Sequence, residues 1–127
     1  MFRFLELHEV EELHTASLVA YGGSAGTRDP GLIESALASA INTAVYTNAD
    51  VFDIAAAYAF HLAEARAFID GNKRVAIGAA LAFLALNHSM RRPQPGQIHA
   101  LYDAMISLAT HAMNKSDLAA LFRSFFE

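Results

Sequence analysis

Apolar residues recur at helical spacing along nearly the whole chain, with Ala, Leu, Met and Glu abundant and only short breaks between segments. The spacing predicts a first helix from about Val10 to Ala20, ended by "YGG". After the loop "GGSAGTR", the stretch "DPGLIESALASAINTAV" predicts a second. Asp29 suits its N-cap, and Pro30 its first helical position, where a missing N–H costs nothing. A third helix is expected over "DVFDIAAAYAFHLAEARAF", ending near Phe68, with Phe52, Ala56, Phe60 and Ala63 on one face. The fourth, "NKRVAIGAALAFLAL", is apolar on nearly all sides and is therefore expected at the centre. Beyond "NHSMRRPQPG" a fifth runs from about Gln97 to His111, and the last begins at Ser116 with "SDLAALFRSFF". The one strand candidate is "FRFLEL" near the N-terminus, paired with "SMRR". The expected fold is an all-α, compact bundle of about six helices with this minor strand.

The 127 residues suit one compact domain spanning 1–127, since no Ser/Gly linker, repeat or low-complexity tract divides them. The absence of cysteine excludes disulfides and thiolate metal sites, and suits a reducing, cytoplasmic setting. The opening "MFRFLELHEVEEL" turns acidic almost at once and lacks an apolar h-region, so it does not read as a secretory signal. The best apolar run, "VAIGAALAFLALNH", is too short to span a membrane and reads as a core helix. A net charge of −4 without a basic tract argues against direct, sequence-independent binding to nucleic acid. Any anion site must therefore be local.

The stretch "EARAFIDGNKRVAI" offers such a site. Between the third and fourth helices, "IDGN" is a tight connection: Gly71 can take backbone angles closed to other residues, and Asp and Asn favour turns. Lys73 and Arg74 follow in the first helical turn, where free N–H groups already carry partial positive charge and disfavour cations. A phosphate would reverse that penalty by taking the N–H groups, the Lys73 ammonium and the Arg74 fork together. Asp70 could then hold a Mg²⁺ shared with the phosphate oxygens. The plainer alternative is that Asp70 caps the helix while Lys73 and Arg74 are solvated or paired with nearby acids.

"AFIDGNKR" resembles the signature of the Fic/Doc family, whose Doc-type form is H-x-F-x-D-x-N-K-R, and "YGGSAGTRDPGLIESALA" looks like a second hallmark of death-on-curing proteins. The resemblance covers most of the chain and implies a Fic/Doc-like helical fold. It further implies a kinase toxin that transfers the γ-phosphate of ATP to a threonine of elongation factor Tu and blocks translation. A cognate antitoxin would dock a helical segment into the toxin's groove. In the AMP-transferring version of the family a glycine stands at the position of Lys73 and a second arginine at that of Ile77, so this chain looks Doc-like. The self-inhibitory motif of some relatives, Ser/Thr-x-x-x-Glu-Gly/Asn, is not found. Position by position, the resemblance makes Phe68 the core anchor of the loop, Asp70 the metal carboxylate, Gly71 and Asn72 the shapers of the anion nest, and Lys73 and Arg74 the phosphate holders.

At the family's catalytic histidine position stands Arg66. Imidazole accepts a proton near neutral pH; guanidinium stays charged and offers no lone pair. Loss of a positioned base costs about 10²–10⁴ in rate, so transfer is expected to be crippled while the fold stays intact. His61 lies on the same helix but about 140° around its axis and is a poor substitute. Arg66 either rests at a helix C-terminus, where the dipole welcomes a cation, or adds a third cation to the phosphate site. Two other outcomes remain open: a non-catalytic antitoxin-binding or regulatory module, and an AMP-transferase.

The six histidines (8, 14, 61, 88, 99 and 111) form no i,i+4 pair and no H-E-x-x-H, which speaks against a bound transition metal. "YGGSAG" follows a helix rather than a strand and reads as a loop without direct phosphate contact, with Arg28 and Asp29 capping and bracing it. Phe122, Phe125 and Phe126 read as core, with any exposed remainder available to a partner helix.

Overall fold

The computed structural model describes residues 2–89 and 91–127. Six helices follow in order: α1 (Leu7–Tyr21), α2 (Pro30–Tyr46), α3 (Val51–Ala65), α4 (Asn72–Asn87), α5 (Pro95–Ala109) and α6 (Lys115–Phe126). The expected all-α bundle is present, and the boundaries that moved did so for local reasons. Helix α1 starts earlier than expected because the Glu9 carboxylate accepts the Glu6 N–H at 3.0 Å and closes the first turn. Asp29 caps α2 as expected, accepting the Gly31 N–H at 2.9 Å ahead of Pro30. Helix α3 stops at Ala65, not near Phe68, because Arg66 turns left-handed with φ 47° and ψ 45°. Pro95 opens α5 and Asn114 caps α6, accepting the Asp117 N–H at 2.9 Å.

The central helix is α3 rather than α4. It packs against α2, α4, α5 and α6, and Phe52, the whole run from Ile54 to Ala59, and Leu62 are buried. Four of those residues (Ala55, Ala56, Ala57 and Ala59) are alanines, short enough to let neighbouring helices approach from several sides. Helix α4 buries Val75, Ala76, Ile77, Ala79, Ala80, Phe83 and Leu84, but leaves Leu81, Ala82 and Leu86 partly or fully open. Its uniformly apolar sequence therefore serves a core face and an open groove. Helix α6 is fastened to the start of α3 by Arg123, which donates to Asp50 Oδ2 at 2.8 Å and Asp53 Oδ1 at 3.3 Å. Phe122 and Phe126 are buried and Phe125 packs against the core beside them.

The expected N-terminal strand is not formed among the described residues, although its "SMRR" partner includes Met90, which lies outside them. The backbone of residues 2–6 finds side chains instead of a ladder. Arg3 exchanges hydrogen bonds with the Asn87 carboxamide (2.6 and 2.9 Å), and the Leu5 N–H donates to the Tyr58 hydroxyl at 3.0 Å. An isolated antiparallel bridge, Thr27 to Phe68, is the β-pairing present. No helix of the described residues is long and apolar enough to cross a membrane.

Tyr58 is fully buried, and burial raises its phenol to about 12. The folded chain thus holds this proton where the unfolded chain, near pH 10, gives it up. Stability from this group is present below about pH 10 and falls as pH rises toward 12. Absorbance titration of the phenolates should show Tyr58→Phe removing a late ionisation near pH 12, coincident with the onset of alkaline unfolding.

Candidate phosphate-binding site

The connection between α3 and α4 is built outward from Phe68. Its ring is buried, and its backbone N–H and C=O are both taken by the Asn72 carboxamide, at 3.0 and 2.9 Å. That pair of hydrogen bonds ties the first residue of α4 to the middle of the connection. Gly71 forms the corner in a left-handed conformation (φ 82°), and a Cβ there would also stand 3.2 Å from the Arg74 guanidinium. The first intrahelical bond of α4 is Val75 N–H to Gly71 O at 3.0 Å, which leaves the amides of Asn72, Lys73 and Arg74 without intrahelical acceptors.

Asp70 does not cap α4 as the plainer reading supposes. Its Oδ1 accepts the neighbouring Gly71 N–H at 2.8 Å, and its Oδ2 accepts the Ser24 N–H at 3.2 Å. These two N–H groups, with the Arg74 charge nearby, hold the carboxyl below its ordinary value. The loop after α1 is the source of the second bond. Gly23 has φ 116°, and a Cβ there would meet Asp70 Oδ2 at 2.8 Å, so the close approach requires glycine. The glycine-rich "YGGSAG" is accordingly a brace: Gly22 O accepts from the Arg74 guanidinium at 3.2 Å. Gly26 O accepts the Ile69 N–H at 3.0 Å, and the Arg28 N–H reaches Ala67 O at 2.7 Å.

Arg66, Asp70, Gly71, Asn72, Lys73 and Arg74 line one open cleft of about 340 Å³, with Ala63 and Ile69. The chain thus brings together every position singled out from the sequence except Phe68, which lies beneath the cleft as the anchor. The cations there are not paired with acids. Among the described residues neither Lys73, Arg66 nor Arg74 forms an ion pair, and Arg74 lies 5.6 Å from the Tyr21 ring centroid. Arg66 also borders a smaller neighbouring cleft of about 200 Å³, shared with Phe60, Glu64, Leu108 and His111.

His61 does not line the phosphate cleft; its Nε2 lies 3.3 Å from Lys115 Nζ on α6, and burial with the Lys115 charge keeps its pKa low. No group of three metal-ligating side chains occurs among the described residues. Asp70 alone has the chemistry for Mg²⁺, whose shell is ordinarily completed by waters and phosphate oxygens. Two contributors escaped sequence reasoning. Ser24 acts through its backbone, which side-chain chemistry cannot reveal. His14 stacks on Phe68, and its one sequence signal was its spacing four residues after the buried Val10.

Comparison with known proteins identifies the family of the chain. Residues 4–84 match the model of the Fic/DOC family. The chain is 30% identical to the protein kinase doc of Escherichia phage P1, over 98% of this chain and 96% of that protein. It is 33% identical to the toxin Doc of Mycolicibacterium smegmatis (strain ATCC 700084 / mc(2)155), over 91% of this chain and 89% of that one.

Asn72→Ala would leave both backbone groups of Phe68 without partners, and should lower unfolding free energy by about 1–3 kcal/mol in urea denaturation. Because the folded pKa of Asp70 is depressed, its contribution to loop order is present above the ordinary carboxylate value and lost as pH falls through the lower folded one. Carboxyl ¹³C titration should find Asp70 below the ordinary aspartate value, and Gly23→Ala should raise it.

Proposed function

The chain belongs to the Fic/DOC family, and from that premise we propose that it is the toxin of a toxin–antitoxin pair, built as a Doc-type phosphotransferase. The carrying observation is the cleft itself: Arg66, Lys73 and Arg74 gather around one carboxylate at the start of α4, in a chain whose net charge is −4. An ATP phosphate is the ligand that this cluster suits, with the α4 amides and Lys73 as donors and Arg74 at the rear. Asp70 would hold Mg²⁺ by its own carboxylate, and the ion would supply neutralisation of the charge on the transferring phosphate.

In the transfer, a target threonine oxygen forms a bond to the γ-phosphorus while the bond from that phosphorus to the bridging oxygen breaks. ADP leaves with the electron pair, and the threonine proton must go to a base. Elongation factor Tu is the target we assign on family grounds. Arg66 stands where the base belongs and has no lone pair to offer. Its exposed, left-handed backbone is uncommon for a residue other than Gly, Asn, Asp or His. The form described by this sequence therefore binds nucleotide and transfers poorly.

The antitoxin segment has a fitting receptor. Two adjoining apolar clefts of about 550 and 460 Å³ run along α1 and α4, meeting at Leu13, and the first ends at Arg74 beside the phosphate site. An amphipathic helix laid there would cover the Arg74 side of the cradle. Arg66 also favours a second reading, a binding module that kept the fold and the antitoxin but lost the enzyme. An AMP-transferase is disfavoured by Lys73 and by Ile77, which is buried.

Arg66→His separates these readings. The toxin reading expects it to raise phosphate transfer by about 10²–10⁴ and arrest growth on expression. Mass spectrometry of elongation factor Tu should then find added phosphate; added adenylate would indicate AMP transfer. No arrest and no modified factor would leave the binding module. Mg-ATP binding should be retained in the Arg66 form, as read by calorimetry. Leu86→Asp, at an exposed position of the groove, should weaken antitoxin capture by about 30-fold or more with little change in melting temperature.

A further inference from the structure

His14 is the buried polar side chain among the described residues, and nothing in the phosphate chemistry above uses it. It rises from α1 beneath the loop, only 5% exposed. Its ring lies almost parallel to that of Phe68, with centroids 4.0 Å apart and planes at 18°. Its Nε2 is 2.8 Å from Asp70 O. A carbonyl can only accept, so Nε2 carries a proton and donates.

The consequence lies on the other side of that peptide. In a trans peptide the C=O and the following N–H point in opposite directions. By holding Asp70 O toward α1, His14 turns the Gly71 N–H away from it, toward Asp70 Oδ1, which accepts it at 2.8 Å. One turn further along α1, Ser17 Oγ would stand 3.7 Å from a Cβ at Gly71, so α1 forms the floor of this corner. The peptide that begins the anion nest is thus oriented from beneath by one side chain. The job needs a flat ring to fill the space over Phe68 and a donor at its far edge; Phe supplies the first alone, and Gln the second alone.

We propose that His14 is a positioning residue for the phosphate site: it fixes the Asp70–Gly71 peptide plane, and through it the carboxylate and amides that face the nucleotide. This rests on the reading of the cleft as a phosphate site. The test uses the full chain as wild type, His14→Phe and His14→Gln. The readouts are thermal melting, the ¹⁵N–¹H resonance of Gly71, and calorimetry with inorganic phosphate and with Mg-ATP.

His14→Phe keeps the ring and removes the donor. It should move the Gly71 resonance and weaken Mg-ATP binding by about tenfold, the scale of one lost hydrogen bond. His14→Gln keeps a donor and gives up the stack. It should melt lower yet hold the Gly71 resonance and an affinity within about threefold of wild type, because donor geometry rather than stability sets binding. Unchanged Gly71 resonance and affinity in His14→Phe would overturn the proposal, as would losses of affinity that follow melting temperature in both variants. If His14→Phe does not fold, His14→Gln decides alone: retained affinity supports the role and lost affinity overturns it. If wild type binds neither phosphate nor Mg-ATP, the nucleotide reading fails, while the Gly71 resonance still decides what His14 holds.

Discussion

The Asn72 carboxamide grips both backbone groups of Phe68, and with that grip the chain reverses between its two most apolar helices. Everything at the site hangs from this reversal. Helices α3 and α4 share the largest part of the core, so the connection between them cannot swing independently of it. Burial of Ala67 and Phe68 fixes the depth of the loop, and Ile69 and Asp70 emerge at the surface before the left-handed turn at Gly71. A rigid core thereby sets the start of α4, whose amides would otherwise be a generic feature of any helix.

Charge explains why the site can be small. The protein as a whole is acidic, so a diffuse positive field cannot gather anions. Attraction is instead concentrated in one cleft, where Arg66, Lys73 and Arg74 meet helical amides and Asp70 is held ionised by the N–H groups of Ser24 and Gly71. The Ser24 N–H comes from a loop that approaches only because Gly23 lacks a side chain. The arrangement separates two tasks within a few ångströms: holding phosphate, which needs fixed donors, and taking a proton, which needs a lone pair. On the proposed reading Arg66 has the charge for the first and no lone pair for the second.

Much of this was legible along the chain. Helical periodicity and the Asp29–Pro30 start led to the right element types, and the loop "IDGN" with its two following cations marked the cleft. A boundary was missed where one left-handed residue decided it, and a strand was expected where distant side chains take its partners. Helix α3 ends early because Arg66 turns left-handed, and the "FRFLEL" segment is extended but unladdered because Asn87 and Tyr58 satisfy its backbone. The helix apolar on nearly all sides was expected at the centre, yet α3 lies there, since its run of alanines lets neighbours approach from several sides.

By itself the sequence determined which side chains have the chemistry to bind phosphate and that Arg66 cannot accept a proton, because donor and acceptor chemistry belong to the side chain wherever it lies. Only the tertiary structure decided how the site is held. Asp70 is fastened by a backbone amide 46 residues away, and His14 reaches the same turn from 56 residues away. Neither contact leaves a trace in local spacing, since each depends on the packing of α1 and its following loop against the start of α4.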